Sequence, residues 1–260
     1  MEARPCAAGA AALGRAFSRL EARLMRALWL ALLLVAAPAL AENRLTPWTA
    51  GPPGGPWSPP WRLADIPKIT PAQRSLVEQD GRLVLRIQAA AAAGGLLHPL
   101  ELPGERPWQL SWQWRSEQRL EQARFATREG DDYVARVYVL LDYPLESLTF
   151  LTRQKLRLAR TFFDPDLPAA TLSYVWDNRK APGSHARSAY SETVEMRVLR
   201  GPEAPLGQWL AESRDLRSDA IAAFGRAPRR ILGVVFAADS DNTGERVDSS
   251  FAAPELIETR

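Results

Sequence analysis

ILGVVFAADSDNTGE, residues 231–245, sets an unbroken apolar run against a cluster of small acidic and amide side chains. The run is short and ends in turn residues, so it reads as a buried strand. The acidic half reads as a turn, with Asp241 at its first position and Gly244 at its fourth. A rigid strand thus delivers Asp239, Asp241, Asn242 and Glu245 to one edge of the fold, where we expect any site to lie.

Working outward, strand signals recur on both sides. After the turn, Phe251 to Ile257 reads as a closing strand. Before it, Leu216 to Phe224 reads as a short helix, with Asp215 as N-cap and Gly225 past its end. Further upstream, Glu192–Leu199 and Thr171–Trp176 are strands. Asp132–Leu141 is another, with Asp132, Arg136 and Tyr138 on one face. Trp108 to Arg115 alternates most regularly, placing Trp108, Leu110, Trp112 and Trp114 on one face. Large apolar side chains are mostly buried, so this face is assigned to a core rather than to a row of sugar-stacking rings. Arg82–Ala89 and Gly94–Leu100 complete the strands. Pro144 to Arg160 reads as a helical insertion, with Leu145, Leu148, Leu151 and Leu156 spaced for one face. Helices are too few for a parallel α/β fold. The expectation is a mostly β, single jelly-roll-like antiparallel β-sandwich with one or two minor helices.

The N-terminal region is a targeting segment in this reading. Arg4, Arg15, Arg19, Arg23 and Arg26 precede an apolar run from Ala27 to Ala37, and Ala39-Leu40-Ala41 supplies a cleavage pattern. The run is too short for a membrane span of roughly 20 residues. Residues 1–41 are therefore expected to be a signal peptide, with Met25 an alternative start. Residues 42–62 form a proline-rich extended arm pinned by Trp48, Trp57 and Trp61, and residues 63–260 form the sandwich. Five of the 33 basic and two of the 30 acidic residues lie in the leader, leaving 28 of each. The remainder is formally neutral, which gives no footprint for nucleic acid. The one cysteine, Cys6, also lies in the leader. An exported chain without disulfides, and with Glu42 rather than Cys after the cleavage point, points to the periplasm or secretion in a bacterium. No membrane span is expected after the signal is removed.

Taken in order, GDDYVARVYV (130–139), LSYVW (172–176) and ADSDNTGE (238–245) resemble the bacterial secreted domain of unknown function 3047. WQLSWQWR (108–115) and the Phe224-Gly225 pair fit the same pattern. The resemblance covers nearly all of the chain after the leader and implies an exported bacterial protein. It supplies no activity and no catalytic residues. The closing strand–turn–strand pattern is similar to galactose-binding-like jelly rolls, which is an analogy of fold.

Three chemistries are open to the residues. Asp239, Asp241, Asn242 and Glu245 offer oxygens of the kind calcium takes. An EF-hand is excluded, because Ser250 stands where the loop's closing Glu is required. The bland alternative is a turn whose Asp and Asn side chains cap their own backbone. A sugar site would draw on Asp132, Arg136 and Tyr138, on Tyr174 and Trp176, and on Asn178. Against it stands a simple structural pairing of Asp132 with Arg136. Catalysis ranks third. Carboxylates are available, but there is no H-E-x-x-H, no G-x-S-x-G and no phosphate loop, and His98 and His185 stand apart from other ligand-type residues. The leading expectation is a non-catalytic binding protein for a glycan or cell-envelope polymer. A polysaccharide-acting enzyme using paired carboxylates, and a structural, protein-binding envelope component, are the alternatives.

Overall fold

The computed structural model describes residues 45–49, 57–162 and 167–259. The expected signal peptide and the middle of the proline-rich arm lie outside the described residues. Twelve strands run as β1 (Arg62–Ala64), β2 (Gln73–Gln79), β3 (Arg82–Ala90), β4 (Ala93–Pro103), β5 (Trp108–Ser116), β6 (Ala135–Asp142), β7 (Ala170–Trp176), β8 (His185–Arg187), β9 (Val194–Arg200), β10 (Leu210–Asp215), β11 (Arg230–Asp239) and β12 (Arg246–Glu258). Helix α1 (Phe150–Phe162) follows β6, and α2 (Leu216–Phe224) follows β10. The strands form a jelly-roll-like sandwich. One sheet has the order β1-β4-β11-β6-β7-β9-β8 and the other β10-β5-β12-β3-β2.

The pairings are antiparallel except β7 with β9, which is parallel. The chain leaves β7, passes down the edge as β8, and turns back into the gap between them, so β9 runs in the direction of β7. β2, β8 and β10 carry no dense apolar pattern that would mark them as strands. β2 and β10 are edges of the smaller sheet and β8 of the larger, where half of the ladder faces solvent and little apolar area is needed.

The core lies between the sheets. Trp108, Trp112 and Trp114 are buried in it, with Trp114 fully so, as the alternation of β5 demands. Their partners across the gap include Tyr174 and Trp176 of β7 and Phe236 of β11. The arm is held where its tryptophans enter this core. Trp48 meets Phe236 edge-on at 5.4 Å, and Trp61 donates its indole N–H to the Thr46 carbonyl at 3.0 Å. The end of α2 is capped as expected, with Asp215 accepting from the Ser218 N–H and Gly225 in the left-handed region at φ 79°.

The helical insertion differs from expectation. Leu145 begins a separate 3-10 turn (Leu145–Ser147), and of the α1 leucines Leu156 is buried while Leu151 stands exposed. Arginines orient the helix instead. Arg160 donates to Asp142 at 3.0 Å and to the Leu167 carbonyl at 2.7 Å, and Arg153 donates to the Leu148 carbonyl at 3.1 Å. Charge-assisted hydrogen bonds at the body outweigh a leucine stripe of only one fully packed member.

His98, on β4, is fully buried. Its Nε2 accepts from the Thr46 N–H at 3.1 Å, which fixes the proton on Nδ1, donating to the Pro99 carbonyl at 2.8 Å. Burial pushes its pKa down to about 4. The unfolded chain takes up the proton near 6.5 and the folded chain only near 4, so this contribution is complete above 6.5 and is lost as pH falls toward 4. The shift corresponds to roughly 3 kcal/mol. The difference in unfolding free energy between the wild type and His98→Gln should shrink by that order between pH 7 and pH 4. Parallel pH profiles would show that His98 titrates normally.

Candidate functional site

The apolar run of β11 is continuous because both of its faces are covered, one by the smaller sheet and the other by the walls of a pocket. On the outer face of the larger sheet, register aligns Val235 of β11, Tyr138 of β6, Ser173 of β7 and Met196 of β9 in one row. A second row holds Ala237, Arg136, Val175 and Val198. The first row, with Ala237 and Arg136 of the second, forms the floor. Ile66 and Ile69 line one side and Ser188 and Tyr190 another, and Asp131, Asp239, Asp241 and Asn242 line the acidic end. The cavity measures about 110 Å³, several times the ~10–15 Å³ that one water requires.

Arg136 organises the acidic end. Its Nε donates to Asp239 Oδ1 at 2.9 Å, its Nη2 pairs with the other Asp239 oxygen, and its Nη1 donates to the Tyr138 hydroxyl at 2.9 Å. It also donates to the Asp131 carbonyl, and its Nη1 lies 3.7 Å from Asp131 Oδ2. Asp239 Oδ1 accepts a further bond from the Tyr133 N–H at 2.9 Å. Burial works against the charge on Arg136, but Asp239, Tyr138 and Asp131 outweigh it and hold the guanidinium well above its ordinary range. Burial raises Asp239 well above the usual carboxylate range, eased by Arg136 and aggravated by Asp132, Asp241 and Asp131. Burial likewise pushes Asp131 up to about 6.

The turn after β11 is tied down from below. Asp132 accepts from the N–H groups of Asn242 at 3.2 Å and Thr243 at 2.6 Å, and from the Asn242 amide at 3.3 Å. Gly244, at φ 76°, closes the turn by donating to the Ser240 carbonyl at 2.8 Å. This use of Asp132 explains why β6 begins at Ala135 rather than at Asp132. Residues 131–134 leave the ladder to hold the turn, and the partner of Arg136 is Asp239 instead of Asp132.

The structure therefore brings together Asp132, Arg136, Tyr138, Asp239, Asp241 and Asn242. It does not bring in Glu245, Tyr174, Trp176 or Asn178. Glu245 points to the next loop, accepting from the N–H groups of Glu121 at 2.8 Å and Gln122 at 3.0 Å. Tyr174 and Trp176 are fully buried in the inter-sheet core. Arg136 and Tyr138 stand opposite Val175 and Ser173, so alternation turns Tyr174 and Trp176 to the opposite face. Asn178 lies past the strand and donates to the Leu120 carbonyl. Sequence reasoning missed Ser173 and Tyr190. Ser173 left a signal, as the lone hydroxyl in the buried strand ATLSYVW that lacks a β-methyl to pack. Tyr190 left none.

Asp132, Asp239 and Asp241 each offer one carboxylate oxygen within 4.8 Å of the others. The oxygens of Asp239 are engaged by Arg136 and those of Asp132 by the turn. Calcium at the expected Asp239, Asp241, Asn242 and Glu245 would have to displace a guanidinium and lacks the Glu245 oxygens. Two other polar atoms of the lining, Asp131 Oδ1 and Ser173 Oγ, are buried with no hydrogen-bond partner among the described residues.

A model of the family described as protein of unknown function (DUF3047) matches residues 59–254. Comparison with curated proteins gives no match. Among solved structures, the chain is similar to a family 30 carbohydrate-binding module of a cellulosomal cellulase of Clostridium thermocellum, at 13% identity over 84% of this chain and 95% of that chain, TM-score 0.35. It is also similar to a seed lectin of Lotus tetragonolobus, at 12% identity over 78% and 94%, TM-score 0.39. A thermostable cellulase derived from Cel12A of Rhodothermus marinus matches at 12% identity over 76% and 92%, TM-score 0.40.

Proposed function

We propose that this chain, which belongs to the family described as protein of unknown function (DUF3047), is a glycan-binding protein whose site is the pocket on the outer face of the larger sheet. One observation carries the reading. A largely apolar floor is combined with two buried polar atoms, Asp131 Oδ1 and Ser173 Oγ, that have no hydrogen-bond partner among the described residues. Leaving such groups unsatisfied costs about 1–3 kcal/mol each, and a ligand carrying hydroxyls would remove that cost. A sugar ring presents hydroxyls at its rim and a C–H face that packs on Tyr138, Val235 and Met196. The Tyr138 hydroxyl already accepts from Arg136, and its own proton remains for a ligand oxygen.

Binding to immobilised bacterial and plant glycans tests this reading. Tyr138→Ala, which removes the ring from the floor, is expected to weaken the best ligand by at least tenfold, about 1.4 kcal/mol. Unchanged affinity in a folded Tyr138→Ala protein would place the glycan elsewhere.

The raised pKa of Asp131 supports a second reading, a polysaccharide-acting enzyme with Asp131 as proton donor. Its weakness is the partner, since Asp239 is committed to Arg136. Release of reducing ends from a bound glycan, abolished in Asp131→Asn, would establish it. Export, with cleavage after Ala41, is proposed alongside from the leader pattern. No helix among the described residues is long and apolar enough to cross a membrane.

A further inference from the structure

The lining of the pocket is unbalanced in charge. Among the described lining residues Asp131 and Asp239 contribute two buried carboxylates, and Arg136 is the one basic side chain. Asp132 stands directly behind, with an oxygen within 4.8 Å of those of Asp239 and Asp241. The single guanidinium is itself consumed by Asp239, Tyr138 and the Asp131 carbonyl. An independent observation points to what is missing. Asp131 is more than nine-tenths buried, and its Oδ1 has no hydrogen-bond partner among the described residues. Ser173, fully buried, contributes a second unpaired acceptor to the same lining. A buried carboxylate oxygen without a donor is sustained where a ligand supplies the donor and the positive charge together.

We propose that the pocket selects a glycan bearing a free primary amine, an amino sugar, whose ammonium group occupies the space beside Asp131. The proposal rests on the glycan reading above and narrows it. An ammonium group carries three N–H donors and needs only a few acceptors in loose geometry. A divalent cation needs several oxygens at once, at about 2.3–2.6 Å for calcium, and those of Asp239 and Asp132 are already spent. A neutral sugar would satisfy the hydrogen bonds and leave the excess negative charge in place. An acidic sugar would add to it.

The test compares three tetrasaccharides of the same β-1,4 linkage, built from glucosamine, N-acetylglucosamine and glucose, titrated into the purified protein near neutral pH. The glucosamine oligomer is expected to bind at least tenfold more tightly than the other two. Asp131→Asn, which keeps shape and removes charge, should erase that preference while its melting temperature does not fall. Equal or weaker binding of the glucosamine oligomer would overturn the amine assignment and leave the glycan reading standing. Binding of none of a broad glycan panel would overturn both. A rise in melting temperature with calcium alone, lost in Asp131→Asn, would replace the amine by a metal.

Discussion

Arg136→Met is expected to destabilise the protein by about 3–5 kcal/mol, the range found when one partner of a buried ion pair is removed. The side chain is 5% exposed and bonds to Asp239, Tyr138 and the Asp131 carbonyl. Methionine fills a similar volume but removes the one cation that Asp239 and Asp131 pair with among the described residues. The pH dependence of the loss identifies its cause. Carboxylates with a folded pKa above the unfolded value bind more protons in the folded state, so the variant should regain stability as pH falls toward and below 6. Adding Asp239→Asn to Arg136→Met should recover part of the loss, and a double-mutant cycle read by urea unfolding measures the coupling. A loss under about 1 kcal/mol, within the range of exposed pairs, would mean that water reaches this cluster.

Trp176→Ala should cost about 3–5 kcal/mol as well, for a different reason. Its ring is fully buried between the sheets, 6.1 Å from that of Trp114, so truncation opens a cavity. Glycan affinity of the fraction that remains folded should be unchanged, because Trp176 faces away from the pocket. A variant of normal stability that has lost its ligand would instead put Trp176 in the site and reverse the register of β6 on β7.

The contrast between these residues shows how far a linear reading reaches. Period-two alternation identified the core face of β5 without ambiguity, since each apolar residue there is followed by a polar one. β7 offers no such guide. Ala170 to Trp176 is buried throughout, because the sandwich covers one face and the pocket walls cover the other. Tyr174 and Trp176 therefore looked as eligible for a ligand as any aromatic pair, and Ser173, which does line the pocket, was passed over. Glu245 lies away from the pocket for a related reason. It stands only four residues after Asp241, yet Gly244 turns the backbone between them, and the Glu245 carboxylate closes on residues 121 and 122.

The class of fold, the core face of β5, the capped helix α2 and the acidic turn after β11 are legible along the chain. Each depends on local chemistry: alternation, a capping side chain, or a glycine at positive φ. Which acids meet which bases depends on how the strands assemble. The pairing of Arg136 with Asp239 spans 103 positions, and it follows from the place of β6 beside β11 in the sheet, which no local pattern encodes. The pocket has the same origin. Its floor is a row drawn from four strands, and side chains that share neither a turn nor a strand acquire a common chemistry when the sheet is assembled.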